Sequence, residues 1–150
     1  MRRDAPNAGA MTDPRTSAIA LVARYYAAFN AGDVPGMLAC LSDDVAHDVN
    51  QGGRRHGKAL FAEFCAHMSR CYKERLDDLV IMASDDGRHA AASFTVVGAY
   101  LATDEGLPPA EGQTYSLPAG GFLDLENGAI TRVATHYNLN DWIAQVEGRA

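Results

Sequence analysis

A chain of 150 residues that is 47% hydrophobic and 21% charged belongs with soluble globular proteins and is long enough to bury one core. Its net charge of -6 argues against binding polyphosphate or an anionic membrane, because Arg54-Arg55-His56-Gly57-Lys58, the nearest thing to a cationic patch, is short. Cys40, Cys65 and Cys71 are odd in number and lack Cys-x-x-Cys spacing, so reduced thiols in a cytoplasmic protein are expected, not a disulfide framework or zinc site.

Arg2-Arg3 resembles the start of an export signal, but no apolar run follows it. Residues 1–12 therefore read as a disordered leader, with Met11 as a second candidate start. A single domain is expected over 13–146, with 147–150 as a tail. No stretch approaches the ~20 apolar residues of a transmembrane span.

Asp13-Pro14 offers an N-cap and a proline at the first helical position. Ile19, Val22, Tyr26 and Phe29 then recur at helical spacing, Leu21 and Tyr25 widen the stripe, and Asn30-Ala31-Gly32 ends the helix. Asp33 caps a second helix expected over 34–41. Ser42-Asp43-Asp44 separates it from a strand over 45–49, and 50–57 reads as a polar loop. A third helix is expected over 58–73, with Phe61, Phe64, Cys65, Met68 and Tyr72 on one side. Strands over 76–83 and 89–102 flank the turn Ser84-Asp85-Asp86-Gly87, and 103–112, with Pro108-Pro109, forms a long loop or lid.

The last strands, 114–125 and 129–139, meet at Asn127-Gly128, a pair suited to the positive backbone angles of a tight hairpin turn. Arms that long twist, and Gly120-Gly121 is the expected place for a bulge or bend. Residues 140–146 close the chain as a short helix. The order predicts an α+β fold in which three N-terminal helices pack on a strongly curved antiparallel or mixed sheet and enclose a pocket.

Ala23-Arg24-Tyr25-Tyr26 through Asn30-Ala31-Gly32-Asp33, then Asp43-Asp44-Val45, Gly57-Lys58, Asn127-Gly128-Ala129-Ile130, His136-Tyr137 and Trp142 resemble the nuclear transport factor 2-like superfamily. Within it they are most similar to SnoaL-like and ketosteroid-isomerase-related proteins. The resemblance covers roughly 15–146 and implies a cone-shaped, cystatin-like roll, often dimeric through its outer sheet face. Steroid isomerases use an Asp base with a Tyr and a protonated acid around the enolate. By spacing, Tyr25 matches the phenol donor. The base position falls on Val49 and the acid position on Gly120, so a strict ketosteroid isomerase is not expected.

Strand parity puts His47 beside Val45 and Val49, facing the expected cavity, where an imidazole can act as base or donor near neutral pH. A core histidine satisfied by a backbone carbonyl is the bland alternative. Asp48 points the other way unless a bulge flips it, and then becomes the base. Catalytic candidates are therefore His47, Tyr25 and Asp48. Tyr26, Phe64, Phe94, Tyr100, Phe122, Val133, Thr135, Tyr137 and Trp142 are the expected lining, which could equally be core packing, with Val49 and Asn50 at the rim. His136 has the opposite parity to Tyr137 and belongs on the outer face. No metal ligand set and no cofactor motif is recognised.

The function these residues point to is binding of a small hydrophobic molecule, with cofactor-independent proton transfer next to a carbonyl by an isomerase or lyase. The alternative is a non-catalytic ligand-binding homodimer. Neither nucleic acid nor membrane is expected as a partner.

Overall fold

The computed structural model describes residues 13–149, so the leader expected over 1–12 lies outside the described residues. Ten elements follow in order: α1 (Pro14–Asn30), α2 (Val34–Ala39), β1 (Leu41–Asp48), β2 (Arg54–His56), α3 (Lys58–Cys71), β3 (Tyr72–Ala83), β4 (His89–Tyr100), β5 (Thr114–Glu126), β6 (Ala129–Tyr137) and α4 (Leu139–Val146). The strands form one six-stranded sheet in the order β2-β1-β6-β5-β4-β3. Neighbours are antiparallel except β1 and β6, which run parallel, so the sheet is mixed and is not closed. This is the α+β architecture the sequence predicts, with a fourth helix.

The stripe on α1 buries Ala18, Leu21, Val22, Tyr25 and Tyr26. Asn30 pins the end of that helix to β3: its amide donates to the Leu76 carbonyl at 3.1 Å and accepts from the Leu76 N–H at 2.8 Å. Asp33 accepts from the Gly36 N–H at 2.9 Å and Asn138 from the Asp141 N–H at 3.2 Å, the caps of α2 and α4. Asn127 (φ 52°) and Gly128 (φ 74°) make the tight turn between β5 and β6.

Three expectations need correction. First, β2 lies inside the stretch expected as loop. All three of its residues are exposed and charged or polar, so it carries no apolar alternation, and its pairing partner is β1 through Asp48 and Arg54. Second, α2 stops at Ala39 and β1 begins at Leu41, running through Ser42-Asp43-Asp44 with a register shift that keeps Leu41 paired with Ile130. Third, α3 stops at Cys71, and Tyr72 is already extended, so β3 starts four residues before the expected 76.

The bend also moves. Through Gly120 and Gly121 the pairing of β5 is regular on both sides, and the shift against β6 falls between Asp124 and Leu125. A second irregularity lies in β3, where Asp78 takes φ 55° and the register slips between Asp77 and Val80. That bulge turns Leu79 and Ile81 toward the core and leaves Val80 56% exposed. Gly121 has another reason to lack a side chain, since its Cα packs against the Tyr26 hydroxyl and a Cβ would collide with it. Among the described residues, no helix is long and apolar enough to cross a membrane.

Candidate functional site

Between the helices and the concave face of the sheet lies a cavity of about 670 Å³, within the range of small-molecule sites. Tyr25 and Tyr26 from α1, His47 from β1, Phe64 from α3, Phe94 from β4, Val133, Thr135 and Tyr137 from β6, and Trp142 from α4 all line it, with Asp48, Val49 and Asn50 at one end.

His47 is 6% exposed and pairs across the sheet with Val133. Its ring sits between Phe61 (centroids 4.9 Å apart) and Phe64 (4.6 Å, edge-on). Nδ1 is enclosed and has no hydrogen-bond partner among the described residues, so the satisfied-histidine reading does not describe that nitrogen. Burial in this aromatic cradle lowers the imidazole pKa. Arg55 lowers it further, and Asp48 opposes. Tyr25 is pushed well above the usual phenol range by burial first and then by Tyr26, Cys65 and Cys40. It therefore keeps its proton and is a donor. Tyr26 stays protonated for the same reason of burial, packs edge-on against Tyr25 at 5.1 Å, and meets Phe94 at 5.5 Å.

Asp48 abuts the cavity, but its carboxylate is committed elsewhere. Arg54 reaches it with Nε at 2.6 Å and Nη2 at 2.9 Å, and Arg132 with Nε at 2.8 Å. The Arg54 hydrogen bond, seconded by Arg132, holds the carboxyl far below the usual carboxylate range against the opposing effect of burial. A carboxylate so stabilised is a poor base. A depressed folded-state pKa gives stability that is present above the unfolded value of about 3.9 and is lost as pH falls through the folded one. Asp48→Asn should therefore lower Tm by a few degrees near neutral pH, and thermal melts should show the gap closing as the buffer is taken below about pH 4. A gap that does not change with pH would mean the ion pairs are not its source.

Two expected lining residues lie elsewhere. Phe122 is 53% exposed on the outer face, edge-on to His136 at 5.7 Å, because Gly121 and Leu123 take the inward positions beside it. Tyr100 is fully buried behind the wall. Its hydroxyl donates to the Pro108 carbonyl at 2.8 Å and accepts from the Asp104 N–H at 2.8 Å, so it holds the rim loop in place.

That loop brings in groups the sequence reading passed over. Asp104 accepts from Tyr72 at 2.7 Å and pairs with His67 Nε2 at 2.9 Å, while Arg70 donates to His67 Nδ1 at 3.1 Å. Glu74 lines the same cavity and accepts from the Tyr115 hydroxyl at 2.6 Å. Apart from His67 and Arg70, a turn apart on α3, these partners are far apart in sequence. The only sequence signal was the alternation Tyr72-Lys73-Glu74-Arg75, obscured by the helix expected over 58–73. His67, Cys71 and Asp104 bring one donor atom each within 4.8 Å of one another, enough for three metal ligands, although His67 already shares both nitrogens with Asp104 and Arg70. Cys40, Cys65 and Cys71 are free and buried.

Helices laid over one face of a curved mixed sheet, with an apolar hollow between them, define the nuclear transport factor 2-like class of protein. The chain belongs to the SnoaL-like domain family, which matches residues 22–133. It is similar to a candidate polyketide cyclase from Silicibacter sp. TM1040, with 64% identity over 87% of this chain and 95% of that one and a TM-score of 0.85. It is also similar to a candidate polyketide cyclase from Pseudomonas putida KT2440, with 62% identity over 86% and 97% and a TM-score of 0.85. An NTF2-like protein from Burkholderia pseudomallei shares the fold alone, at 21% identity over 87% and 97% and a TM-score of 0.70. No curated protein matches the chain.

Proposed function

We propose that this protein binds a small, apolar, carbonyl-bearing molecule of polyketide character and moves a proton next to one of its carbonyls. The observation that carries the reading is His47: a buried imidazole kept neutral by its surroundings, on the wall of an apolar cavity. Its relatives above 60% identity, described as candidate polyketide cyclases, support the substrate class.

In this scheme Nε2 of His47 takes a proton from the carbon beside a ketone, and the Tyr25 hydroxyl donates to the oxygen as negative charge grows there. Where a C=C neighbours the ketone, the resulting dienolate can take the proton back at its remote carbon, which is isomerisation. The enolate carbon can instead attack a second carbonyl of the same molecule, forming a C–C bond while the new alkoxide takes the proton from the imidazolium. Either route conserves atoms and electrons and calls on the chain's own side chains alone. Asp48 has no part in it.

Deuterium uptake in D₂O by a panel of aryl β-diketones, followed by NMR, tests the reading. The wild type should exchange the α-hydrogens faster than buffer, and Val133→Trp, which fills the cavity, should abolish the gain. Binding of the same diketones without exchange would instead favour a non-catalytic carrier. That second reading is supported by the valine and glycine at the base and acid positions of the steroid isomerases, Val49 and Gly120.

We also propose a homodimer through the outer sheet face, supported by the exposure there of Phe122, Val80 and Met82. Light scattering should give twice the chain mass for the wild type and the single-chain mass for Phe122→Asp. A monomeric wild type would rule the dimer out. The three free, buried thiols suit a reducing compartment such as the cytoplasm.

A further inference from the structure

Glu74 occupies an unusual place for a carboxyl. It projects from β3 into the cavity wall, and among the described residues it forms no ion pair with a lysine or arginine. An ionised carboxylate in such a place would lack the pairing that buried charges require. One oxygen, Oε2, accepts from the Tyr115 hydroxyl at 2.6 Å, while Oε1 makes no hydrogen bond among the described residues. Tyr115 is itself clamped by Trp142, whose ring stands edge-on to it at 5.7 Å, and by Gly98, where any Cβ would lie 2.6 Å from the phenol. The carboxyl is thus held by one oxygen with the other free.

We infer that Glu74 selects the ligand: its Oε1 carries a proton and donates it in a hydrogen bond to a carbonyl oxygen of a neutral molecule, while ligands bearing a carboxylate are turned away. This rests on the reading of the cavity as a ligand site given above. The charges around it agree with a neutral guest, since Asp48, Glu74, Asp104 and Glu105 line the cavity with Lys73 as the one lysine or arginine there among the described residues. Burial raises the Glu74 pKa, and the hydrogen bond from Tyr115 only partly offsets this. The phenols that face it, Tyr115 from β5 and Tyr137 from β6, are both raised in turn, first by burial, so neither ionises before it. Glu74 is therefore the member of the trio that titrates as pH rises.

The test uses three bicyclic probes of similar size: 1-tetralone, tetralin and 1,2,3,4-tetrahydro-1-naphthoate (the naphthoate below), with binding read by calorimetry. Wild type should bind tetralone about three- to tenfold more tightly than tetralin, the worth of one neutral hydrogen bond, and should bind naphthoate most weakly. Glu74→Gln, which keeps a donor, should retain the preference for tetralone. Glu74→Val, which has no donor, should erase it. Raising the pH should remove the preference in wild type and not in Glu74→Gln, a response that a merely structural carboxyl would not give. The carbonyl stretch of ¹³C-labelled tetralone should move to lower frequency on binding to wild type. Equal affinity for tetralone and tetralin, or a preference that survives Glu74→Val, overturns the inference and leaves the cavity reading intact. Failure of all three probes to bind removes both.

Discussion

Replacing His47 with phenylalanine should slow α-proton exchange about 10²- to 10⁴-fold, the usual worth of a positioned acid–base group, while folding stability stays within about 1.5 kcal/mol of wild type. The two halves of this expectation come from one arrangement. The imidazole lies between Phe61 and Phe64, surroundings that suit a third phenyl ring, and its Nδ1 has no partner to lose. Removing an unsatisfied buried polar atom is neutral or favourable to folding. The pH response separates the contributions further. With the folded-state pKa depressed, the unfolded chain binds the proton more readily, so wild-type stability is complete above the ordinary value of about 6.5 and declines as pH falls through the folded value. His47→Phe should lose that acid sensitivity. Urea titrations at several pH values and exchange rates by NMR provide both readouts. A variant that exchanges as fast as wild type would exclude His47 as the proton carrier, and one that loses several kcal/mol would show that the ring is structural.

Gly121→Val should cost about 1–3 kcal/mol, the penalty of forcing atoms into a packed site. The Tyr26 hydroxyl occupies the space that a side chain at 121 would need, and the backbone there is paired on both sides, to Ala92 and to Thr135. The strand cannot retreat without breaking both ladders, so the tyrosine must move. Since Tyr26 also meets Tyr25 and Phe94, its displacement reaches the cavity wall. Tyr26→Phe removes the clashing oxygen, and in the Gly121→Val background it should recover part of the loss. Chemical denaturation of the four proteins in a double-mutant cycle measures that coupling. A coupling near zero would mean that the hydroxyl is not what excludes a side chain at 121.

Features set by short-range chemistry were legible in the sequence. The α1 stripe, the cap at Asp33 and the Asn127-Gly128 turn each depend on residues a few positions apart, and His47 followed from strand parity alone. What escaped depends on partners far along the chain. Arg54–His56 carries no apolar signature and becomes a strand only because Asp48 lies opposite. Glu74 was lost because Tyr72 falls at a helical interval from Met68, so the helix was extended past Cys71, where the chain in fact turns extended. Asp104 sat in a loop whose fold depends on Tyr100, 4 residues earlier, and on His67, 37 residues earlier. Phe122 was assigned to the lining on its hydrophobicity, whereas the inward places beside it belong to Gly121 and Leu123.

The passage from α3 to β3 takes place across one peptide bond, with Cys71 closing the helix and Tyr72 opening the strand. The Cys71 carbonyl also accepts from the Leu101 N–H at 2.7 Å and the Ala102 N–H at 3.3 Å, where the rim loop begins. One residue is therefore the common anchor of the helix that bears Phe64, the strand that bears Glu74 and the loop that bears Asp104. There is no slack between them to absorb a displacement. A guest that presses the helix outward therefore works against the strand and the loop tied to the same residue.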